Sequence, residues 1–390
     1  MLPDWKRKNF DFKLILFVLA LNVIGILMIA SATDQNSVMV QRQIIGVLGG
    51  LAVMFVLAFI PYQKTLRFAP VYYIVCCVFL LLVILYGSIH GGAKRWIVIP
   101  VLGQLQPSEF AKAGIILFFA WYLGKHVQSI NRLKIILPAA GFAFIPFLLV
   151  ASEPDLSTSI VILLCILAMV YAAGISYKWV FGILAVIVPF ALIFIRLLMD
   201  GMIPFLKDYQ IRRILAWIDK SKYADLNLQQ NNSVMAIGSG QLFGKGLNNS
   251  TLSVKGGNFL SEEQTDFIFA VIGEELGFIG CIAVILLYIL IVYECFKLAG
   301  KAIDAEGKLL CTGMGVWISF QSFCNIAVAT GIFPNTGLPL PFISYGVSSL
   351  LSLYAGIGIV LNVGLQRKRI SDQDDFSLLD QAEFQLRKGV

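Results

Sequence analysis

Ten apolar runs recur along the chain, at residues 12–32, 44–60, 70–89, 108–124, 134–151, 157–173, 177–198, 266–293, 310–331 and 342–364. About 20 apolar residues suffice for an α-helix to cross roughly 30 Å of hydrocarbon. In lipid every backbone polar group must be satisfied within its own segment, so such runs fold as helices rather than as open sheet. The expectation is therefore an all-α integral membrane protein: ten transmembrane helices in a single domain over 1–370, followed by a polar tail at 371–390. Composition excludes the water-soluble alternative, because 58% of the residues are hydrophobic and only 14% charged, where soluble domains carry about a quarter charged residues.

Basic residues in short connections mark the cytoplasmic side. With the N terminus inside, that side receives Lys6, Arg7, Lys8, Lys64, Arg67, Lys125, Arg132, Lys178, Lys297, Lys301 and Arg367 to Arg369, whereas the short external connections hold only Arg42, Lys94 and Arg95. Both termini are expected in the cytoplasm, and the net charge of +7 reads as this topological bias, not as a footprint for nucleic acid. A basic start, an apolar run and Ala30-Ser31-Ala32 imitate a cleavable signal peptide, but the run is long enough to span and others follow, which favours an uncleaved first helix. All seven cysteines fall within or beside apolar runs, so a disulfide framework is not expected. The two histidines, His90 and His126, lie on opposite sides of this topology and form no metal cluster.

One connection breaks the pattern of short loops. Residues 199–265 form a long extracytoplasmic loop between helices 7 and 8, and loops of this length usually carry function. Its first part sets Ile211, Ile214, Leu215 and Ile218 on one stripe, with Arg212 and Arg213 off it and Trp217 as an aromatic anchor; this suits a helix lying in the membrane surface and equally a packed loop helix without a ligand. Further on, Gly238, Gly240, Gly244 and Gly246 crowd around Lys245. Glycine lets amides approach an anion, so a phosphate cradle is conceivable, yet the spacing is not that of a P-loop and a turn-rich loop is the plainer reading.

Polar residues at membrane depth are costly, and each is a functional candidate by default. Glu109 and Lys112 stand three apart at the start of the fourth run, on one helix face, where pairing with each other is the alternative. Asp155 precedes the sixth run, a common place for an N-cap. Asp266 stands where a polar stretch turns into the eighth run, well placed to move a proton for a substrate arriving along the bilayer; an N-cap is again the alternative. Glu274 and Glu275, two turns deeper beside Gly273 and Gly277, read as structural groups within the bundle. Gly337, Pro339, Pro341 and Gly346 suggest an irregular entry to the last run, tolerated only where protein or a cavity covers it. Arg42, Gln106 to Lys112, Asp155, Gln210 to Arg213, Asp266 and Ser344 to Ser348 all fall on the external side. Together they describe a polar cavity with cations for a pyrophosphate and an acid for a hydroxyl.

The stretches QPSEFAK, EPDLSTS, DYQIRRI, AIGSGQLFGKG, EEQTDFIFAVIGEELGFIG and LPLPFISYGVSS resemble, in order and spacing, the signatures of the SEDS (shape, elongation, division and sporulation) family, most closely its rod-shape branch. The likeness covers nearly the whole chain. Departures stand at Gln104, where rod-shape members often carry Arg, and at Asn232, Ser261 and Val347.

The resemblance implies a peptidoglycan glycosyltransferase of the bacterial cytoplasmic (inner) membrane. Such an enzyme polymerises lipid II into glycan strands at the outer face, with a class B penicillin-binding protein as partner transpeptidase and without nucleic acid. It puts the essential acid on Asp266 and the substrate-binding residues on Arg42, Gln106, Glu109, Lys112, Asp155, Gln210 and Arg213; neighbouring Arg212 is a further candidate for the pyrophosphate. No organic cofactor is expected, and the chemistry leaves room for a divalent cation, magnesium or manganese. The competing reading is a flippase for lipid-linked precursors. Against it, the polar residues cluster near one surface and no matching internal half is visible. A membrane scaffold would explain the long loop but not Glu109 and Lys112.

Overall fold

The computed structural model describes residues 10–33, 37–90, 93–99, 103–153, 155–182, 227–252, 260 and 262–366, with isolated positions between 183 and 197. Its helices are α1 (Phe12–Ala32), α2 (Ser37–Ala58), α3 (Tyr62–Arg67), α4 (Ala69–Tyr86), α5 (Pro107–His126), α6 (Leu133–Ser152), α7 (Leu156–Ala172), α8 (Leu228–Ser239), α9 (Ile268–Gly300), α10 (Ala305–Ala329) and α11 (Val347–Leu365). Seven of them are long and apolar enough to cross a membrane: α1, α2, α4, α6, α9, α10 and α11. A described helix stands at every expected run except that at 177–198, of which residues 177–182 are helical and much of the remainder lies outside the described residues. The amphipathic stripe around Ile211 to Ile218 lies outside them too.

Aspartate starts several helices, as expected of a short acceptor before a run of orphan amides. Asp11 Oδ1 accepts from the Leu14 amide at 3.3 Å, Asp155 Oδ1 from that of Thr158 at 3.2 Å, and Asp304 Oδ1 from that of Gly307 at 2.7 Å. Inside the bundle, α5 and α10 form the central pair: α10 packs on α5, α7, α9 and α11, and α5 packs also on α4 and α7. Over their apolar 18-residue stretches, 72% and 78% of positions are buried in α10 and α11 against 22% in α4 and α6. The outer helices turn Leu16, Val23, Ile45, Leu48, Val56 and Ile74 outward, each more than half exposed. In water such a belt would be untenable, and in hydrocarbon it costs nothing.

Two elements depart from the sequence reading. Residues 88–105, expected as a plain external connection, form a three-stranded antiparallel meander of β1 (Ser88–His90), β2 (Ala93–Ile99) and β3 (Gly103–Leu105). Strands this short leave no hydropathy signal; the hint was Gly91-Gly92 between them, a dipeptide suited to a two-residue hairpin. The second is α9, whose 33 residues are broken at Gly277, with φ 66° and ψ −164°.

That break explains the glycine-rich loop. The Lys245 and Gly246 amides donate to the Glu274 and Glu275 carbonyls at 2.9 and 3.0 Å, while the Phe278 and Ile279 amides donate to the Gln241 and Leu242 carbonyls at 2.9 and 3.2 Å. The loop thus supplies partners to backbone groups that the helix loses at its break. A phosphate cradle is excluded here, because amides of the run are spent on α9. Glu274, fully buried, seals the clasp: its Oε1 accepts from Lys245 Nζ at 2.6 Å and from the Thr251 and Leu252 amides, each at 2.9 Å. Glu275 accepts from Ser31 of α1, so both acids hold the bundle together, as expected of structural groups.

Candidate functional site

Four helix beginnings and the β meander meet at one end of the bundle. The leader of α5 reaches that of α11 through the Gln106 amide, which donates to Ser348 Oγ at 3.3 Å. Gln43 on α2 clamps the same α11 leader, donating to the Ser344 carbonyl and accepting from the Gly346 amide, both at 3.3 Å. The leader of α9 joins them, since Ser344 Oγ donates to the Thr265 carbonyl at 2.5 Å and the Tyr345 amide to that of Gln264 at 2.9 Å. At the head of α7, Ser157 Oγ donates to the Thr336 carbonyl at 2.9 Å. The positive ends of α5, α7 and α11 therefore gather here, a setting that favours an anion.

Asp266 is held from two sides. Its amide donates to the Glu262 carbonyl at 3.1 Å, in a turn whose Glu262 takes φ 59°, and its carbonyl accepts from Asn325 Nδ2 of α10 at 2.9 Å. The cap position of α9 falls on Phe267, which leaves the half-buried Asp266 one residue ahead of the helix. Beside it lies Gly337, at φ +70°: a Cβ there would stand 3.5 Å from Asp266 Oδ2 and 4.0 Å from Arg95 Nη1. Arg95 Nη1 is itself 4.0 Å from Asp155 Oδ2, and its Nε donates to the Glu153 carbonyl at 3.4 Å. Asp155 therefore fills the capping role weighed for it through Oδ1, while its Oδ2 faces the Arg95 guanidinium.

Glu109 and Lys112 lie deeper, each 1% exposed. Lys112 Nζ is 2.7 Å from Glu109 Oε1 and 2.7 Å from Gln321 Oε1, and it stands 5.0 Å from the centre of the Trp317 ring. Gln321 in turn donates to the Pro339 carbonyl at 2.9 Å. The pair thus ties α5 to α10 and to the irregular segment under Asp266. In this conformation it supports the floor of the site. Arg42 is exposed on α2, next to Gln43. Gln106 caps α5 and is half-buried, its side-chain amide donating to Ser108 Oγ at 3.2 Å. Gln210, Arg212 and Arg213 lie outside the described residues. Among the described residues no three His, Cys, Asp or Glu side chains gather to hold a metal ion.

Sequence reasoning missed Arg95, Gln43, Gln321, Asn325 and Glu153. Gln321 and Asn325 carried a legible signal, two amides one turn apart in an apolar run. Glu153, 1% exposed, has no hydrogen-bond partner on either carboxyl oxygen among the described residues. Burial, with a smaller push from Asp155 and against the pull of Arg95, raises its carboxyl to about 9. The proton is thus held in the folded state well above the pH at which an unfolded chain releases it. Stability from this group is complete below about pH 4.5 and falls as pH climbs toward 9. Glu153→Gln removes that dependence, so the purified variant should melt higher than the parent at about pH 8 and alike at about pH 5. Equal melting temperatures at both pH values would refute the buried neutral acid.

A family model described as cell cycle protein, FtsW/RodA/SpoVE, matches residues 12–369, and the chain belongs to that family. Among curated relatives, the peptidoglycan glycosyltransferase MrdB of Escherichia coli (strain K12) is 36% identical over 370 residues, covering 94% of this chain and 96% of that protein. Stage V sporulation protein E of Bacillus subtilis (strain 168) is 31% identical, covering 92% and 98%. The crystal structure of the rod shape determining protein RodA of Thermus thermophilus superposes with a TM-score of 0.67 at 26% identity, over 94% of this chain and all of that one. A chain from a structure entitled structural coordination of polymerization and crosslinking by a peptidoglycan synthase complex reaches a TM-score of 0.75 at 28% identity, over 92% and 99%.

Proposed function

We propose that the protein is a peptidoglycan glycosyltransferase of the bacterial inner membrane that polymerises lipid II into glycan strands during cell-wall synthesis and cell-shape control. The observation that carries this reading is Asp266, held ahead of α9 by its turn and by Asn325, half-buried beside a guanidinium. The curated relatives named peptidoglycan glycosyltransferase support it. The full topology is part of the proposal: ten spans in one domain over 1–370, both termini cytoplasmic, the 199–265 loop outside, and a cytoplasmic tail at 371–390.

The chemistry follows from the substrate. Lipid II carries its sugar on a pyrophosphate, so the leaving group is good and the protein's tasks are to activate the attacking hydroxyl and to neutralise charge. Asp266 takes the proton of the acceptor sugar hydroxyl while that oxygen displaces the undecaprenyl pyrophosphate of the growing strand, inverting the anomeric carbon. Arg42, Arg212 and Arg213 hold the pyrophosphate as charged donors, and Gln106 and Gln210 contribute polar contacts. Asp155, Glu109 and Lys112 line or support the cavity. A divalent cation, magnesium or manganese, would accompany the substrate pyrophosphate and help to neutralise its charge, and no step runs through it. A class B penicillin-binding protein is the proposed partner, in keeping with the synthase-complex title of one structural neighbour.

Reconstitution in vesicles with lipid II as the sole substrate, without ATP, tests the whole reading. The expected product is glycan strands visible on a gel; lipid moved across the bilayer with no strands would establish the flippase instead.

A further inference from the structure

Arg95 belongs to none of the motifs that carry the proposed reaction, yet its guanidinium faces the Asp155 carboxylate and approaches the same Gly337 as the Asp266 carboxylate. Nη1 is 4.0 Å from Asp155 Oδ2, and it shares with Asp266 Oδ2 the space beside Gly337, both within 4.0 Å of the point where a Cβ would stand. The side chain is only 20% exposed. Its mount is firm. Arg95 follows Lys94, which pairs with Ile89, and precedes Trp96, which pairs with Ser88; Ser88 Oγ donates to the Trp96 carbonyl at 3.0 Å. Further along β2, Ile97 pairs with Leu105, one residue before the cap of α5. The meander therefore sets the guanidinium against the heads of α7 and α9.

We propose that Arg95 is a positioning residue that holds the Asp155 and Asp266 carboxylates across one guanidinium and keeps Asp266 ionised, ready to take the hydroxyl proton. This rests on the base role proposed for Asp266. Charge around the site gives the reason. The described titratable groups on the elements packed there include Glu153 at the end of α6, Asp155 at the head of α7, Glu262 and Glu263 in the loop before α9, Arg95 on β2, Tyr345 ahead of α11, and Glu109 and Lys112 of α5, which are paired with each other; α10 and the segment after it present the amide of Asn325 and Gly337. Glu153 is neutral near pH 7, and burial with the neighbouring Glu262 charge raises Glu263. An opposite charge within about 4–6 Å lowers a carboxylate's pKa by about 1–3 units, and Arg95 is the cation that the meander places at the heads of α7 and α9. Arg95 itself gives up no proton, because a guanidinium stays charged at any working pH. The proton passes from the sugar hydroxyl to Asp266 alone.

The test is the pH dependence of strand synthesis from lipid II by the full-length protein in vesicles. Arg95→Gln should move the acid limb of the rate profile upward by about one pH unit, and Arg95→Lys, which keeps the charge, should restore the parent limb. An active Arg95→Gln whose limb stays put overturns the inference, whatever its rate, because a purely structural residue changes amplitude without moving the limb. If Arg95→Gln makes no strands at any pH, Arg95→Lys decides: synthesis with the parent limb supports the charge role, and an inactive or displaced Arg95→Lys overturns it. Asp266→Asn run alongside separates the two readings, since strands from that variant would remove the base role itself, independently of how the Arg95 variants behave.

Discussion

Asp266→Asn should fold like the parent, melt at the same temperature within a few degrees, and lose strand synthesis by about 100 to 10,000-fold, the usual worth of a positioned general base. The amide is nearly the shape of the carboxylate. The backbone ties to Glu262 and Asn325 do not involve the side chain, so position is preserved while proton acceptance is lost. Turnover of lipid II by purified protein in vesicles is the measurement. A variant within threefold of the parent would end the assignment of Asp266.

Gly244→Ala should be among the most damaging small changes in the chain. Gly244 takes φ +77°, and a Cβ on it would stand 2.0 Å from the Glu275 carbonyl oxygen and 2.7 Å from the Gly277 amide nitrogen. A left-handed conformation costs a non-glycine residue about 1–2 kcal/mol, and forcing atoms into a packed contact adds about 1–3 kcal/mol. The backbone of α9 cannot step aside without opening the Lys245 and Gly246 bonds. Expected is a fall of several degrees in melting temperature with loss of activity. Gly238→Ala, in the same run, meets nothing within 4 Å and should be silent. If the two variants behave alike, the loop does not brace the helix.

Much of the bundle was legible because hydropathy answers directly to burial in lipid: α1, α5, α6 and α7 begin and end within about two residues of the runs read from the sequence. The placement of Asp155 and Asp266 at helix heads was legible for a related reason, a charge being kept at the edge of a span. What escaped was set by contacts distant in sequence. The proposed role of Arg95 depends on a meander whose central strand, Ala93–Ile99, shows no alternation of apolar and polar residues. Gly240, Gly244 and Gly246 look like an anion loop in one dimension; only the break at Gly277, far along the chain, shows where the Lys245 and Gly246 amides go. Glu109 and Lys112 read as cavity residues, but the third partner that buries them, Gln321, lies 209 residues away.

The interruption at Gly277 also bears on how the molecule meets membranes of different thickness. Residues 278–300 alone measure about 34 Å along their axis, enough to bridge the roughly 30 Å oily layer. A rod of that length adjusts to a thinner or thicker bilayer by leaning. An unbroken 33-residue cylinder would swing its tip, and the acid with it, through the same angle. With the axis cut at Gly277, the loop bonded on both sides of the break and the upper segment tied also to α10 through Asn325, a lean of the lower rod reaches the acid only through that clasp and not along one rigid axis.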